Sequence, residues 1–492
     1  MVHHIYAIWL AILLCISVQS ADLRAQQTQM GQAPVRFIPP AEYNEHAQNW
    51  DVTQAYDGMM YFANMHGLMI YDGYSWELKP LPSSVLSLHF SDDEQLYAGL
   101  TADFGILHQQ PDGSLRYESL FERMRQAGRE VPPHDFIDTF QMTEIGGIIY
   151  MSTDAGLYAW DGQKISYWED VIPFFITDHQ DLLLIRRNDG SLFMPAAPDI
   201  PVEIVDAAGE PAPLEQRING LFQHPDGSYR VITQDGYIYE LIPLYEDSAG
   251  QGRAEQTAVP SRYHLHADSG KPLEYLSDAF VYDVHAAGGH YYISTFNNGL
   301  FSIKPDGNLH RHYNTSNGLK DNFILNIHRD SFGALWLTGM YGITVIYEDS
   351  GISVLNGYNG IESNIWAAGF RENDFYIGSS NGLLHARLDA RRPLKFSPIA
   401  EVGDDGIFSS FESLQLSEDG PARMFAYSEL GLYELRGTTA EFIDHRVGER
   451  LFTSSLFPGL IFTDEFLGHL RALRENEDGS WWIGNDPDFV ED

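Results

Sequence analysis

One short pattern keeps returning along this chain: an aromatic-rich strand, a small polar bend, a glycine, and a second strand. It reads Met60-Tyr61-Phe62-Ala63-Asn64-Met65-His66-Gly67-Leu68 near the start and Tyr292-Ile293-Ser294-Thr295-Phe296-Asn297-Asn298-Gly299-Leu300 further on. Other copies carry Gly105, Gly156, Gly342, Gly382 and Gly431 at the same place, and two degenerate ones centre on Gly190 and Gly236. A last copy begins at Trp481-Trp482-Ile483-Gly484. Consecutive marker glycines lie 34 to 63 residues apart, with a mean near 45. Few folds tolerate such a period. A unit of that length holding four short strands is the blade of a β-propeller.

The local chemistry agrees with that period. Each unit alternates apolar and polar residues and then turns tightly, often at Asp-Gly, as at Asp57-Gly58, Asp72-Gly73, Asp161-Gly162 and Asp306-Gly307. Eleven such pairs occur, and Asp-Gly between strands signals a hairpin because both residues tolerate positive φ. The marker glycine is expected at the turn between the second and third strands, where a Cβ would clash. Two long gaps read as insertions. Residues 119–128 place Leu120, Phe121, Met124 and Ala127 on one helical face, stopped by Gly128 and then Pro132-Pro133. Residues 246–274 are polar and rich in Gly and Ser, and read as an irregular loop.

The leading segment stands apart from the repeat. Residues 5–18 form an apolar run too short to span a bilayer comfortably, followed by the small-residue sites Ser20-Ala21 and Ala25. Residues 1–25 therefore read as a secretory signal peptide, although His3 and His4 stand where Lys or Arg is usual. The only cysteine, Cys15, belongs to that segment, so the exported chain would carry no disulfide. Acidic residues outnumber basic ones 69 to 30, giving a net charge of −39. Such a field repels nucleic acid and anionic membrane surfaces.

A family resemblance follows from two stretches. The unit Asp321-Asn322-Phe323 through Asp330-Ser331-Phe332-Gly333-Ala334-Leu335-Trp336-Leu337-Thr338 resembles the two-component-regulator propeller repeat. Gln48-Asn49-Trp50-Asp51-Val52-Thr53-Gln54, Gly58 to Asn64, Tyr71-Asp72-Gly73-Tyr74-Ser75-Trp76, Tyr97-Ala98-Gly99 and Asp103-Phe104-Gly105 are similar to the N-terminal periplasmic sensor of triple-tyrosine-motif regulators. The resemblance spans about residues 42–492, and is weak in the fourth and fifth repeats. It implies a periplasmic array of blades, commonly two seven-bladed propellers, followed by a triple-tyrosine domain, a membrane helix and a cytoplasmic output. This sequence departs from that pattern by ending at Asp492, which reads as one strand into a tenth blade. The expectation is thus the leading part of a longer sensor, or the product of a truncated gene.

Sites of catalysis are hard to find. A sialidase-type Asp box is spoiled by an extra residue between Asp330 and Gly333, and no pair among the many carboxylates is singled out for glycoside hydrolysis. The pairs His264/His266 and His310/His312 would each share one strand face, which suits a metal, yet a solvated strand face explains them as well. Tyr61, Tyr97, Tyr150, Tyr292, Trp336 and Tyr376 recur at one repeat position, which marks packing between blades. Trp50, Trp160, Trp168 and Trp366 fall outside that position and could stack on a sugar ring or pack a blade edge.

The sequence therefore predicts an all-β chain: a seven-bladed β-propeller over residues 42–359, then about three blades of an incomplete second propeller over residues 360–492. The expected function is non-catalytic sensing in the periplasm, with no cofactor, no metal and no assignable catalytic or ligand-binding residue. Expected partners are an extracellular ligand, with an oligosaccharide as one candidate, and either missing membrane and output domains or a partner regulator. A homodimer is one option and nucleic acid is excluded. The rival readings are a secreted polysaccharide hydrolase or lyase and a stand-alone protein-binding scaffold.

Overall fold

The computed structural model describes residues 31–484, except 111–113, 133–136, 170, 178–181, 188–191, 198–199, 207, 211–217, 225–227, 245–261, 268–272, 389–393, 400–401, 403–405, 417–419, 446–450, 455–456 and 465–469. The expected signal peptide and the Gly190 copy of the repeat lie outside those residues. Two compact units emerge, Pro34–Ser350 and a second made of Gly351–Asp492 with Met1–Ala33.

The larger unit is built from seven antiparallel four-stranded groups, the fourth and fifth joined edge to edge into one eight-stranded sheet and each called a sheet below. Their innermost strands are Asn49–Gln54, Val85–Phe90, Thr139–Ile145, Val171–Thr177, Ile218–Gln223, Val281–Ala287 and Ile324–Arg329. Each packs beside the next, and the seventh packs against the first, so the ring closes. Closure uses both ends of the unit. The seventh sheet takes only three strands from its own stretch, Ile324–Arg329, Leu335–Gly339 and Ile343–Ile346, and its outermost strand is Val35–Ile38. That strand pairs antiparallel from Val35↔Ile346 to Ile38↔Ile343. This is a β-propeller whose ring is latched by its N-terminal strand. The latch also explains where the chain leaves the unit: after Ile346 no fourth strand is required, and residues from Gly351 fall with the other unit.

Sequence features map onto this ring with clear physical roles. Gly67 has φ +143°, and a Cβ there would lie 2.6 Å from the Lys79 carbonyl oxygen of the outermost strand. The marker glycine thus serves the hairpin between strands two and three, and also lets the outermost strand close over it. The insertion at residue 119 is the helix Leu120–Gln126, capped by Ser119 Oγ, which accepts the Glu122 N–H at 3.2 Å. It buries Leu120, Phe121 and Met124 against Phe104 and Tyr158. The stretch 246–274 differs from its expected irregularity. Arg262–Ala267 is the outermost strand of the fifth sheet, with Tyr263 buried and Leu265 half-buried between His264 and His266. That strand also pairs in parallel with Ile200–Val205 of the fourth sheet. Flanking Gly and Ser residues hid a short period-two strand.

The second unit holds three more four-stranded sheets, with innermost strands Ile365–Arg371, Phe408–Leu414 and Leu451–Ser454. One expectation changes here. Trp481–Gly484 is the outermost strand of the third of these sheets, paired with Leu470–Glu475, and does not open a new blade. The reason is the Asp478-Gly479 hairpin. It joins third to fourth strands as Asp306-Gly307 does, with Gly479 at φ +81° and Asp478 Oδ1 accepting the Ser480 N–H at 3.0 Å. Trp481 and Ile483 are half-buried against a core of Leu414, Phe425 and Leu473.

Candidate functional site

A shared irregularity marks one face of the ring. In all seven innermost strands the register slips by one residue, passing over Trp50, Leu86, Phe140, Phe174, Asn219, Tyr282 and Leu325. A one-residue bulge bends the strand and re-aims the side chain it carries. The residue after the bulge often fastens the neighbouring blade. Asp51 Oδ2 accepts the Leu88 N–H at 2.8 Å, and Ser87 Oγ donates to the Thr139 carbonyl at 2.8 Å. The bulge residue Asn219 does the same, donating to the Val281 carbonyl at 2.7 Å. Two of the other bulge residues face the space the ring encloses. Trp50 and Phe140 show this directly. They belong to the first and third sheets, with the second sheet between them, yet their ring centroids lie 6.5 Å apart. Only the axial space brings them together. We call this side, where the innermost strands begin, the upper face.

On the sixth and seventh sheets the upper face becomes an aromatic platform. Tyr282 meets Phe296 edge-on at 4.8 Å and Phe323 at 5.5 Å, while Phe296 stacks on Phe323 at 4.9 Å. Phe296 keeps 39% of its surface exposed and the adjoining Phe280 keeps 49%. Phe280 also sits at φ +43°, a conformation costly for a bulky side chain. Its carbonyl accepts the Phe296 N–H at 3.1 Å, which fixes the strained residue beside the platform. Strain of this kind, with the side chain held out in water, is a feature of binding sites. Polar side chains lock the surrounding loops: Asn297 Nδ2 donates to the Asp278 carbonyl at 3.0 Å and Asn322 Nδ2 to the Asn297 carbonyl at 3.2 Å. Across the ring, burial and then the charge of Asp154 push the Asp138 carboxyl above its ordinary range.

The residues singled out in the sequence fall into place unevenly. Tyr97, Tyr150, Tyr292, Trp336 and Tyr376 are buried and Tyr61 is half-buried, as packing residues should be. Trp50 and Trp366 prove to share a repeat position after all, because Trp366 is the bulge residue of its own strand. Trp160 is buried under Arg123, and Trp168 stands 37% exposed at a strand end. The bulge row itself was missed. Its signal is an alternation that breaks one residue into each innermost strand.

Among the described residues the histidine pairs gather no third metal-ligating group. His264 and His266 lie 6.1 Å apart centroid to centroid on their strand. His312 stacks on Phe301 and shares a 2.6 Å hydrogen bond with the Asn298 carbonyl, while His310 meets His290 at a tilt, 4.5 Å between ring centroids. Desolvation, then the nearby His290, Arg311 and Lys304, depress His310 to about 4. Among the described residues no three His, Cys, Asp or Glu groups converge. Asp330, the centre of the near-miss Asp box, is engaged structurally. Its Oδ1 accepts the Phe332 and Ala334 N–H groups, each at 2.9 Å, and its Oδ2 accepts the Trp336 indole N–H at 2.8 Å.

The second unit offers a different surface, a polar crevice of about 790 Å³ between its sheets. At its centre Glu434, whose side chain is 2% exposed, accepts hydrogen bonds from Arg423 and Arg436, and Arg423 also bonds Glu475. Burial alone would raise the Glu434 carboxyl, yet the two guanidiniums hold it below its ordinary range.

No family model and no curated protein matches the sequence. Solved structures do. The extracellular domain of the putative one component system BT4673 from B. thetaiotaomicron is 16% identical, with 93% of this chain and 61% of that chain covered at a TM-score of 0.42. The extracellular domain of the putative hybrid two component system BT3049 from B. thetaiotaomicron is 12% identical, with 92% and 67% covered at 0.49. Virginiamycin B lyase from Staphylococcus aureus is 12% identical, with 64% and 98% covered at 0.43. The chain spans about three fifths of the length of the first of these. Among the described residues no helix is long and apolar enough to cross a membrane.

Proposed function

We propose that this chain is the non-catalytic, periplasmic sensing region of a bacterial signal-transduction regulator, and that its upper face binds an oligosaccharide. The observation that carries this reading is the aromatic platform of Tyr282, Phe296 and Phe323 with the strained, exposed Phe280 beside it. A sugar ring has an apolar face of C–H groups and an edge of hydroxyls, and suits an aromatic surface rimmed by Asn and Asp. The resemblance of the opening repeats to triple-tyrosine-motif sensors supports the signalling role and the periplasmic location. The expected signal peptide supports export. The engagement of Asp330 by its own turn supports a structural role for the acid at the centre of the near-miss Asp box.

One observation favours the rival hydrolase or lyase. Asp138 and Asp154 are neighbours on the same face, and a carboxyl with a raised pKa is what a general acid requires. Calorimetry of the full chain with a panel of neutral and acidic tetra- to octasaccharides, followed by chromatography of the mixtures, separates the two. Saturable binding with the sugars recovered intact is the expected result. Shortened or unsaturated products, lost in Asp138→Asn, would replace the sensor with an enzyme.

A further inference from the structure

A second cavity lies on the opposite, lower face of the larger unit, in the seam between the fifth and sixth sheets. It measures about 450 Å³, within the range of small-molecule sites. Its floor is a gap in the packing between blades, formed by Phe222, Ile238, Leu273, Tyr291, Ile293 and Ile303. All six belong to one core cluster: Phe222, Tyr291, Ile293 and Ile303 are buried, Ile238 and Leu273 are half-buried against them, and Phe222 lies 4.4 Å from Tyr291 ring to ring. The rim is polar, with His224, Arg230, Lys304 and Asp306.

The charges on that rim are arranged unequally. Asp306 turns its carboxylate into its own hairpin, where Oδ1 accepts the Asn308 N–H at 3.0 Å, and that bond holds it below the ordinary carboxylate range. His224 Nε2 shares a 3.0 Å hydrogen bond with the Pro305 carbonyl, which fixes the ring at the mouth. Arg230 stands directly opposite Glu240 across its strand pair. Lys304 is then the cation best placed to meet a guest: it is exposed, and although its charge acts on Asp306 two residues along, no carboxylate lies within 4 Å of it among the described residues. In a chain where acids outnumber bases 69 to 30, a rim that gathers Arg230 and Lys304 beside the single carboxylate of Asp306, with Glu240 facing Arg230, is less acidic than the prevailing balance.

We propose that this seam binds a small amphipathic monocarboxylate, its aromatic or branched aliphatic body on the apolar floor and its carboxylate at Lys304. Sugars do not fit this role, since the floor offers few hydrogen-bonding groups. The site is independent of the aromatic platform and of the sensing role assigned to it. Bound there, a ligand would bridge two adjacent blades and add to the Asn219 tie between them.

The test is calorimetry of the full chain with 4-phenylbutyrate and with its neutral isostere, 4-phenylbutyramide. The expected result is saturable one-to-one binding of the acid and at least tenfold weaker binding of the amide. Lys304→Met should bring the acid down to the level of the amide and leave the amide unchanged. Ile238→Trp, which fills the half-buried floor, should abolish both while the circular dichroism spectrum stays the same. Equal binding of acid and amide, an unaltered acid affinity in Lys304→Met, or no saturable binding of the acid would each overturn the proposal.

Discussion

Two residues show how a single side chain can be committed to structure or to function. Asp330 gathers two backbone N–H groups and one indole N–H on one carboxylate. Replacing it by alanine strands those donors, at a cost of about 2–3 kcal/mol. Chemical denaturation of Asp330→Ala should show that loss with the unfolding slope unchanged. Phe280 makes the opposite prediction. Its positive φ destabilises the fold, and Phe280→Gly should raise stability by about 1 kcal/mol. The same change should weaken oligosaccharide binding at least tenfold, because the exposed ring is lost. A variant that becomes more stable and binds as well as before would show that the strain has no part in recognition.

At the scale of elements, the ring depends on the latch strand Val35–Ile38. Ile38 is fully buried between the first and seventh sheets, within the cluster of Val52, Phe62, Trp336 and Ile343. Ile38→Ala should cost about 2–5 kcal/mol. Hydrogen exchange should then quicken in the seventh and first sheets before the third. In the second unit, the network of Glu434, Arg423 and Glu475 ties three strands together. The folded Glu434 carboxyl titrates below the unfolded one, so its contribution is present above the ordinary glutamate pKa and lost as pH falls through the lowered value. Acid titration of that unit's stability should lose this contribution in Arg423→Met, where the depressing guanidinium is gone. An unchanged acid limb would show that the pair is neutral in stability.

Much of this level was readable in advance. The marker glycines and Asp-Gly hairpins announce themselves because φ and close backbone approach restrict which residues fit. The capped helix after Ser119 is equally legible, since capping and periodicity are local. The latch was not, because Val35–Ile38 finds its partner more than 300 residues away. The bulge row was hidden too: a slip in register depends on the facing strand, and Trp50 and Trp366 look like strays until the pairing is known. Trp481–Gly484 misled for the reverse reason, because its Asp-Gly hairpin suits the third and fourth strands as well as the first and second.

At the scale of the larger unit, a closed ring of bulged innermost strands gives a frame that carries the aromatic platform. The chain's −39 charge fits an exported surface and disfavours polyanionic partners. The platform is the part of this account that matters most, and it can be removed without touching the latch or the inter-blade hydrogen bonds of Asp51, Ser87 and Asn219. The decisive measurement is calorimetric titration of the full chain and of Tyr282→Ala/Phe296→Ala with the oligosaccharide that binds best. The account predicts saturable binding by the parent chain, a loss of at least tenfold in the double variant, and intact sugar in both mixtures. Undiminished binding by the double variant, or cleavage of the sugar by the parent chain, would contradict it.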